Sequence, residues 1–245
     1  MNAVVILETL RRQFTSVFFV AFLLVISTIA VFVGSAGTAT HTWLELAYVI
    51  GMILGAQLIG PEFSSGTLQL ILAKPINRTT YLLSRYAGVI CAAAILFGVP
   101  LLIDIVCRLL WTTGKIEWSE MLIEVGQTFA VVMLACALLA LFGTFLRAYF
   151  NVGLYFGLQA ILAIIIGALS LITGMHSTRF PRLRDFLRAH PGVMSAVRGA
   201  MHNLYPDPPS GFSREWVVLV LTNAVFALFI AAWIFRKREV PYGAD

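Results

Sequence analysis

The chain has 245 residues, of which 60% are hydrophobic and only 12% are charged, and its formal net charge is +5. Soluble globular domains carry about 25% charged residues, so this chain lacks the polar side chains that would cover a water-soluble particle. The composition excludes an ordinary soluble enzyme, a disordered segment and a secreted disulfide scaffold. It predicts an all-α polytopic membrane protein, whose positive charge points to anionic lipid head groups and not to nucleic acid.

The gaps between ionisable residues predict six transmembrane helices in a single membrane domain that covers residues 1–245. A span needs about 20 mostly apolar residues to cross roughly 30 Å of hydrocarbon, and only helices or closed barrels satisfy their backbone groups there. The predicted spans are residues 16–34, 44–60, 86–104, 125–146, 152–173 and 216–235, of which only the second is marginal in length. Because five further spans follow the first, we interpret the first as a span and not as a cleaved signal peptide.

The distribution of basic residues predicts that both termini are cytoplasmic. With six spans, the side that holds the termini carries nine basic residues and the opposite side carries eight. Six of those eight lie in one long loop, residues 175–214, and without it the count is nine to two. By the positive-inside rule, the termini and residues 61–81 are then inside, and the Arg-rich loop 175–214 is external.

Apolar residues recur at helical spacing before the first span, at Ala3, Ile6, Leu7, Leu10 and Phe14. This pattern is typical of an amphipathic helix that lies in the membrane interface. A simple extension of the first span fits the pattern equally well. In the loop before the last span, two further apolar repeats, one from Phe180 to Leu187 and one from Val193 to Leu204, predict external amphipathic helices.

Few polar residues lie at membrane depth. Asp104 and Arg108 are spaced i,i+4 near the end of the third span, which predicts a local ion pair. Four uncharged polar residues lie inside the predicted spans, where they can form hydrogen bonds between helices or line a translocation path. They are Gln57, Gln127, Gln159 and Asn223.

Residues 61–78, between the second and third spans, form the most informative segment. Gly60 and Pro61 break the second helix, and Pro75 ends a short new one. Leu68, Ile71 and Leu72 share a face of that short helix. From the residues alone, the helix is either an anchor on the lipid surface or a docking element for another protein.

This segment resembles the intracellular loop of the type-2 ABC transporter permeases, in which an acidic residue, a Gly-Thr-Leu and a Pro-x-x-Arg recur. The six spans, the N-terminal interfacial helix and the basic tail are similar to the same family. The resemblance implies a coupling helix that sits in a groove of a separate ATP-binding protein. The residues implied at matching positions are Glu62, Gly66, Thr67, Leu68, Pro75 and Arg78, and Ile71 and Leu72 complete the docking face with Leu68.

The resemblance further implies an exporter subunit in the bacterial cytoplasmic membrane, paired with a second copy or a paralogue. The chain has no GxxxxGK[ST] motif, no catalytic motif and no His or Cys spacing suited to a metal. We therefore expect no enzymatic activity and no cofactor in this chain, with ATP and Mg bound by the partner ATPase. The alternative is a non-transporting membrane anchor that recruits a cytoplasmic partner through the same helix.

Overall fold

The computed structural model describes residues 2–36, 41–58, 77–111, 118–146, 150–174, 185, 189–206, 208–209 and 211–237. Within these ranges the chain forms eight α-helices and no β-strand. The helices are α1 Ala3–Phe14, α2 Val17–Ala36, α3 His41–Ala56, α4 Arg78–Trp111, α5 Trp118–Gly143, α6 Phe150–Gly174, α7 Pro191–Leu204 and α8 Arg214–Lys237.

Five of these helices, α2, α4, α5, α6 and α8, are long and apolar enough to cross a membrane. Each overlaps one of the predicted spans. An all-helical chain with five such helices is typical of a multi-pass membrane protein, because a helix satisfies its own backbone hydrogen bonds inside lipid.

The helix in the second predicted span, α3, is short. Its 16 residues rise about 24 Å at 1.5 Å per residue, which is less than the hydrocarbon thickness. It is also deeply buried, since Trp43 and Ala47 have no exposed surface and α3 packs against α2, α4 and α5. Helix α3 is therefore largely buried among α2, α4 and α5, with one exposed side that carries Glu45, Val49 and Ile53.

The third predicted span belongs to a longer helix than the charge pattern indicates. Helix α4 has 34 residues and continues past both of the charges that delimited it. At one end the buried Arg85 donates a hydrogen bond from Nη1 to Thr9 Oγ1 (3.2 Å). At the other end Arg108 Nε lies 2.8 Å from Asp104 Oδ1, which confirms the predicted ion pair. Both charges stay within the packed helix because each has a partner.

The helices alternate in direction between two ends of the bundle. At the near end, α1 packs beside the start of α4. Helices α3 and α5 end there, and α6 begins there. At the far end, α4 reaches Asp104, whose Oδ2 accepts a hydrogen bond from Trp43 Nε1 at the start of α3 (3.3 Å). The segment that links α7 to α8 contacts Gln127 of α5, and α7 contacts α8 through Asn203 and Asn223.

The N-terminal amphipathic segment is a separate helix and not an extension of the first span. Thr15 ends α1 before α2 begins at Val17. The side of α1 that faces α4 is polar, with Thr9 and Gln13 buried. The side that faces away carries the strongly exposed Val4 and Leu7 beside the exposed charges of Glu8, Arg11 and Arg12, which is typical of an amphipathic helix at a membrane interface.

Candidate functional site

A cavity of about 860 Å³ lies toward the far end of the bundle. Helices α3, α5 and α6 form its walls, and the segment that links α7 to α8 closes one side. Its lining on α5 runs from Glu120 to Val131, which is about 16 Å along the helix axis. The cavity therefore extends well into the apolar part of the bundle.

Two of the four polar residues that the sequence singled out line this cavity, Gln127 on α5 and Gln159 on α6. Gln127 also holds the linking segment in place, since its Nε2 donates to the carbonyl oxygens of Pro209 (3.2 Å) and Gly211 (2.9 Å). Because these carbonyls belong to a proline-containing link with few backbone donors, the Gln127 amide fixes that wall of the cavity.

Three tyrosines join the cavity wall to α6. Tyr48 and Tyr205 line the cavity, and Tyr48 shares a side-chain hydrogen bond with Tyr155. Tyr205 donates from its hydroxyl to the Tyr155 carbonyl oxygen (2.6 Å), and their rings meet edge to face at 5.0 Å. Burial, with a smaller contribution from Tyr48, raises the pKa of Tyr205 to about 12, so this hydroxyl stays protonated and remains a donor.

A polar stripe on α6 connects the cavity to the near end of the bundle. Asn151, Tyr155 and Gln159 are spaced four residues apart and so follow one side of the helix. Asn151 is fully buried, and its Nδ2 donates to the carbonyl oxygens of Ala56 (3.2 Å) and Leu139 (3.4 Å). It thereby satisfies a carbonyl at the end of α3, where helix carbonyls lack partners within their own helix.

The other two polar residues lie elsewhere. Asn223 donates from Nδ2 to the carbonyl oxygen of Asn203 (2.9 Å), which links α8 to α7. Gln57 is in the turn that follows α3, at the opposite end of that helix from the cavity.

Of the predicted coupling residues, the structure describes only Arg78, which is the first residue of α4 and half-buried. The others lie outside the described residues: Glu62, Gly66, Thr67, Leu68, Ile71, Leu72 and Pro75. Their assignment stays a prediction.

Three carboxylates of the cavity lining were not singled out from the sequence, Glu45, Glu120 and Glu124. Glu45 and Glu124 served only as borders of charge-free gaps. The available signal was that both acids stand at the same end of their predicted spans. No group of three or more His, Cys, Asp or Glu side chains among the described residues is arranged to hold a metal ion.

A family model described as a protein of unknown function, DUF2705, matches residues 38–241. This match covers most of the chain. The chain belongs to the DUF2705 family. All the residues that line the cavity lie within the matched range. No curated protein matches the chain.

Proposed function

We propose that this DUF2705 protein is the membrane-spanning permease subunit of an ATP-driven ABC transporter that exports its substrate. The observation that carries the proposal is the cavity between α3, α5 and α6, which offers polar groups inside an apolar bundle. A purely anchoring protein needs no such cavity, because helix packing in lipid favours close contact between small side chains.

The position of α3 supports coupling between the cavity and residues 61–78, the segment that resembles a permease coupling loop. One end of α3 contributes Leu44, Glu45 and Tyr48 to the cavity, and its other end leads within a few residues into the predicted coupling helix. A docking partner that moves this helix would displace the end of α3. Because α3 is packed along its length against α5, that displacement would be transmitted to the cavity wall.

The proposal includes a membrane orientation with six spans. The near end, with both termini and residues 61–81, is cytoplasmic, and the far end with loop 175–214 is external. Helix α3, which begins at the far end and ends at Ala56, then forms the outer part of the second span. Single cysteines at Ser65 and Ser210 in a Cys-free background are expected to react with a membrane-impermeant reagent from opposite sides, and reaction of both from one side contradicts the orientation.

The proposal also includes a dimer of two permease copies or of this chain and a paralogue. Its support is α6, of which only 6% of the apolar window is buried within the chain. A second subunit against this helix would place the two cavities near a common axis. Cross-linking of single cysteines introduced along α6 tests the pairing.

Docking of the ATP-binding protein is tested by Leu72→Asp. If Leu72 faces an apolar groove of the partner, the carboxylate is buried without a counter-charge, which costs several kcal/mol. Pull-down of the ATPase through a tagged permease is expected to fall at least tenfold. Gln69→Asp is the matched control, since it adds the same charge to the same segment away from the Leu68, Ile71 and Leu72 face.

Undiminished ATPase recovery with Leu72→Asp would contradict the docking assignment. A lipid anchor gives that result, because the substitution then harms the placement of the short helix on the membrane and leaves any partner bound. Glu62→Ala separates docking from coupling, because it leaves the apolar face intact. We expect the ATPase to remain bound in this variant while transport declines.

A further inference from the structure

A second concave site lies at the near end of the bundle, where α5 and α8 both end. It is an open groove of about 380 Å³, formed by residues just past α5 and by the last turns of α8. The residues that line it are Thr144, Phe145, Trp233, Ile234 and Lys237. None of them lines the large cavity, so the groove is a separate site.

Lys237 gives this groove a positioned cation. Its side chain is exposed, and its Nζ lies 4.2 Å from the centroid of the Trp233 ring. This cation–π contact orients the ammonium group but does not neutralise its charge, and within the described part of the chain Lys237 has no salt bridge. An ammonium group held at the edge of a groove can donate charge-assisted hydrogen bonds to an anionic oxygen such as that of a phosphate.

The walls of the groove are aromatic and strongly exposed. Phe145 is 57% exposed and Trp233 is 54% exposed. Both follow or belong to helices that are long and apolar enough to cross a membrane, so the ends of these helices reach the level of the lipid head groups. Tryptophan is enriched at that level because its ring has an apolar body and a polar edge.

A row of exposed apolar side chains leads from the groove along α8. Beyond Trp233 the row continues through Phe229, Val225 and Val218, which lie one or two turns apart on the same side of the helix. From Trp233 to Val218 it measures about 22 Å along the helix axis. A ligand that has an anionic oxygen at one end and a long apolar chain at the other matches a cation placed beside such a row.

We propose that this groove binds one phospholipid of the surrounding membrane, whose head-group phosphate contacts Lys237. Phe145 and Trp233 flank the glycerol region, and an acyl chain lies along the exposed row of α8. A free phosphate ion would use Lys237 alone and would gain nothing from the apolar row. Lipid binding at this site requires neither transport nor an ATPase.

The test compares two probes with the same acyl chains, dioleoyl phosphatidylglycerol and dioleoylglycerol, which lacks the phosphate. Native mass spectrometry of the full chain in detergent measures the fraction that carries one added lipid as each probe is titrated. We expect saturable binding of one phosphatidylglycerol, about fivefold tighter than that of dioleoylglycerol, because two unit charges 4 Å apart in water attract each other by about 1 kcal/mol. Inorganic phosphate should not displace it. Equal binding of both probes, saturable binding of neither, or displacement by inorganic phosphate overturns the proposal.

Variants of the two cations in the last turn of α8 locate the bound phosphate. Lys237→Gln removes the charge and keeps a long side chain, so the preference for phosphatidylglycerol should be lost, whereas Lys237→Arg should retain it. Arg236→Gln is the matched control, since Arg236 is an exposed cation in the same turn and does not line the groove. An equal loss in Arg236→Gln and in Lys237→Gln overturns the assignment, because binding then follows the general charge of this helix end.

Trp233→Ala tests the apolar part of the site. It removes one wall of the groove and the first member of the exposed row, so binding of both probes should weaken severalfold through the lost apolar contact. Because Trp233 is 54% exposed, the midpoint of thermal unfolding should stay close to that of the wild type. Unchanged binding of both probes in this variant contradicts a lipid seated in the groove.

Discussion

Two glycines at helix contacts of the α2–α5 region, Gly34 and Gly55, differ in their surroundings from Gly153, Gly157 and Gly167 of α6. A Cβ atom on Gly55 of α3 would lie 2.8 Å from Cys136 Sγ and 3.1 Å from Cys136 Cα, and one on Gly34 of α2 would lie 2.9 Å from the Asp104 carbonyl oxygen. On α6, by contrast, a Cβ atom at Gly153, Gly157 or Gly167 would meet nothing within 4 Å. The first group permits close approach of helices, and the second has no such role within this chain.

The difference teaches that α6 is attached to the bundle through polar contacts and not through close packing. Its only buried residues with described side chains are Asn151 and Tyr155, both in the polar stripe. Glycine lowers helix stability by about 1 kcal/mol relative to alanine. Small residues on an unpacked membrane helix are therefore accounted for most simply by the proposed pairing with a second subunit.

The largest expected effect comes from Asp104→Ala in the packed region. Asp104 is fully buried and accepts hydrogen bonds from Arg108 and Trp43. Removing one member of a buried pair leaves the other charge uncompensated and costs about 3 kcal/mol. We expect a clear fall in the midpoint of thermal unfolding in detergent, measured by near-UV circular dichroism. The double variant Asp104→Ala/Arg108→Leu should recover part of the loss, and an unchanged midpoint for Asp104→Ala contradicts the packing described for this end.

A matched pair of alanine substitutions tests the comparison itself. Gly55→Ala forces a methyl group against Cys136, and overpacking of this kind costs about 1–3 kcal/mol. Gly157→Ala has open space and should leave the midpoint unchanged or slightly raised. For the proposed dimer we expect the reverse order, with Gly157→Ala weakening the pairing measured by cross-linking along α6. Equal destabilisation by both variants would remove the distinction between the two regions.

The smallest expected effect is that of Tyr205→Phe, which removes the hydrogen bond to the Tyr155 carbonyl and keeps the ring contact. A hydrogen bond of this kind contributes about 1 kcal/mol. The pKa of Tyr205 is raised from 10.0 to about 12, so its contribution is complete below pH 10 and is lost as the pH rises through about 12. The stability difference between wild type and Tyr205→Phe should therefore shrink across that interval. A difference that stays constant to pH 12 contradicts the assigned bond.

The sequence predicts the apolar helices well and their limits less well, for a physical reason. Charged residues mark the end of a span only when they face water. Arg85 has a hydrogen-bond partner in Thr9, and Asp104 has an ion-pair partner in Arg108. Because both partners lie inside the bundle, α4 extends beyond both residues. Helix α3 differs in the opposite direction, since it ends at Ala56, four residues before the predicted end of its span, and its apolar pattern does not mark that end.

The candidate site was predictable only in part. Gln127 and Gln159 stand out because isolated amides in apolar runs need partners. Glu45 and Glu124 do not stand out, because an acid at the end of a span is ordinary in sequence. Their meeting around one cavity depends on which helices are neighbours, and the hydrophobic pattern of each helix does not specify that.

The most direct test of the permease proposal is the accessibility of the cavity during the ATP cycle. A single cysteine at Gln159, in a chain with its three native cysteines replaced by alanine, is labelled by a membrane-impermeant thiol reagent in proteoliposomes that contain the partner ATPase. We predict a labelling rate that changes at least fivefold when ATP and Mg are added, with no change for the Leu72→Asp variant. A rate that is the same with and without ATP, in complexes that hydrolyse it, would contradict the proposal that this cavity is part of a transport path.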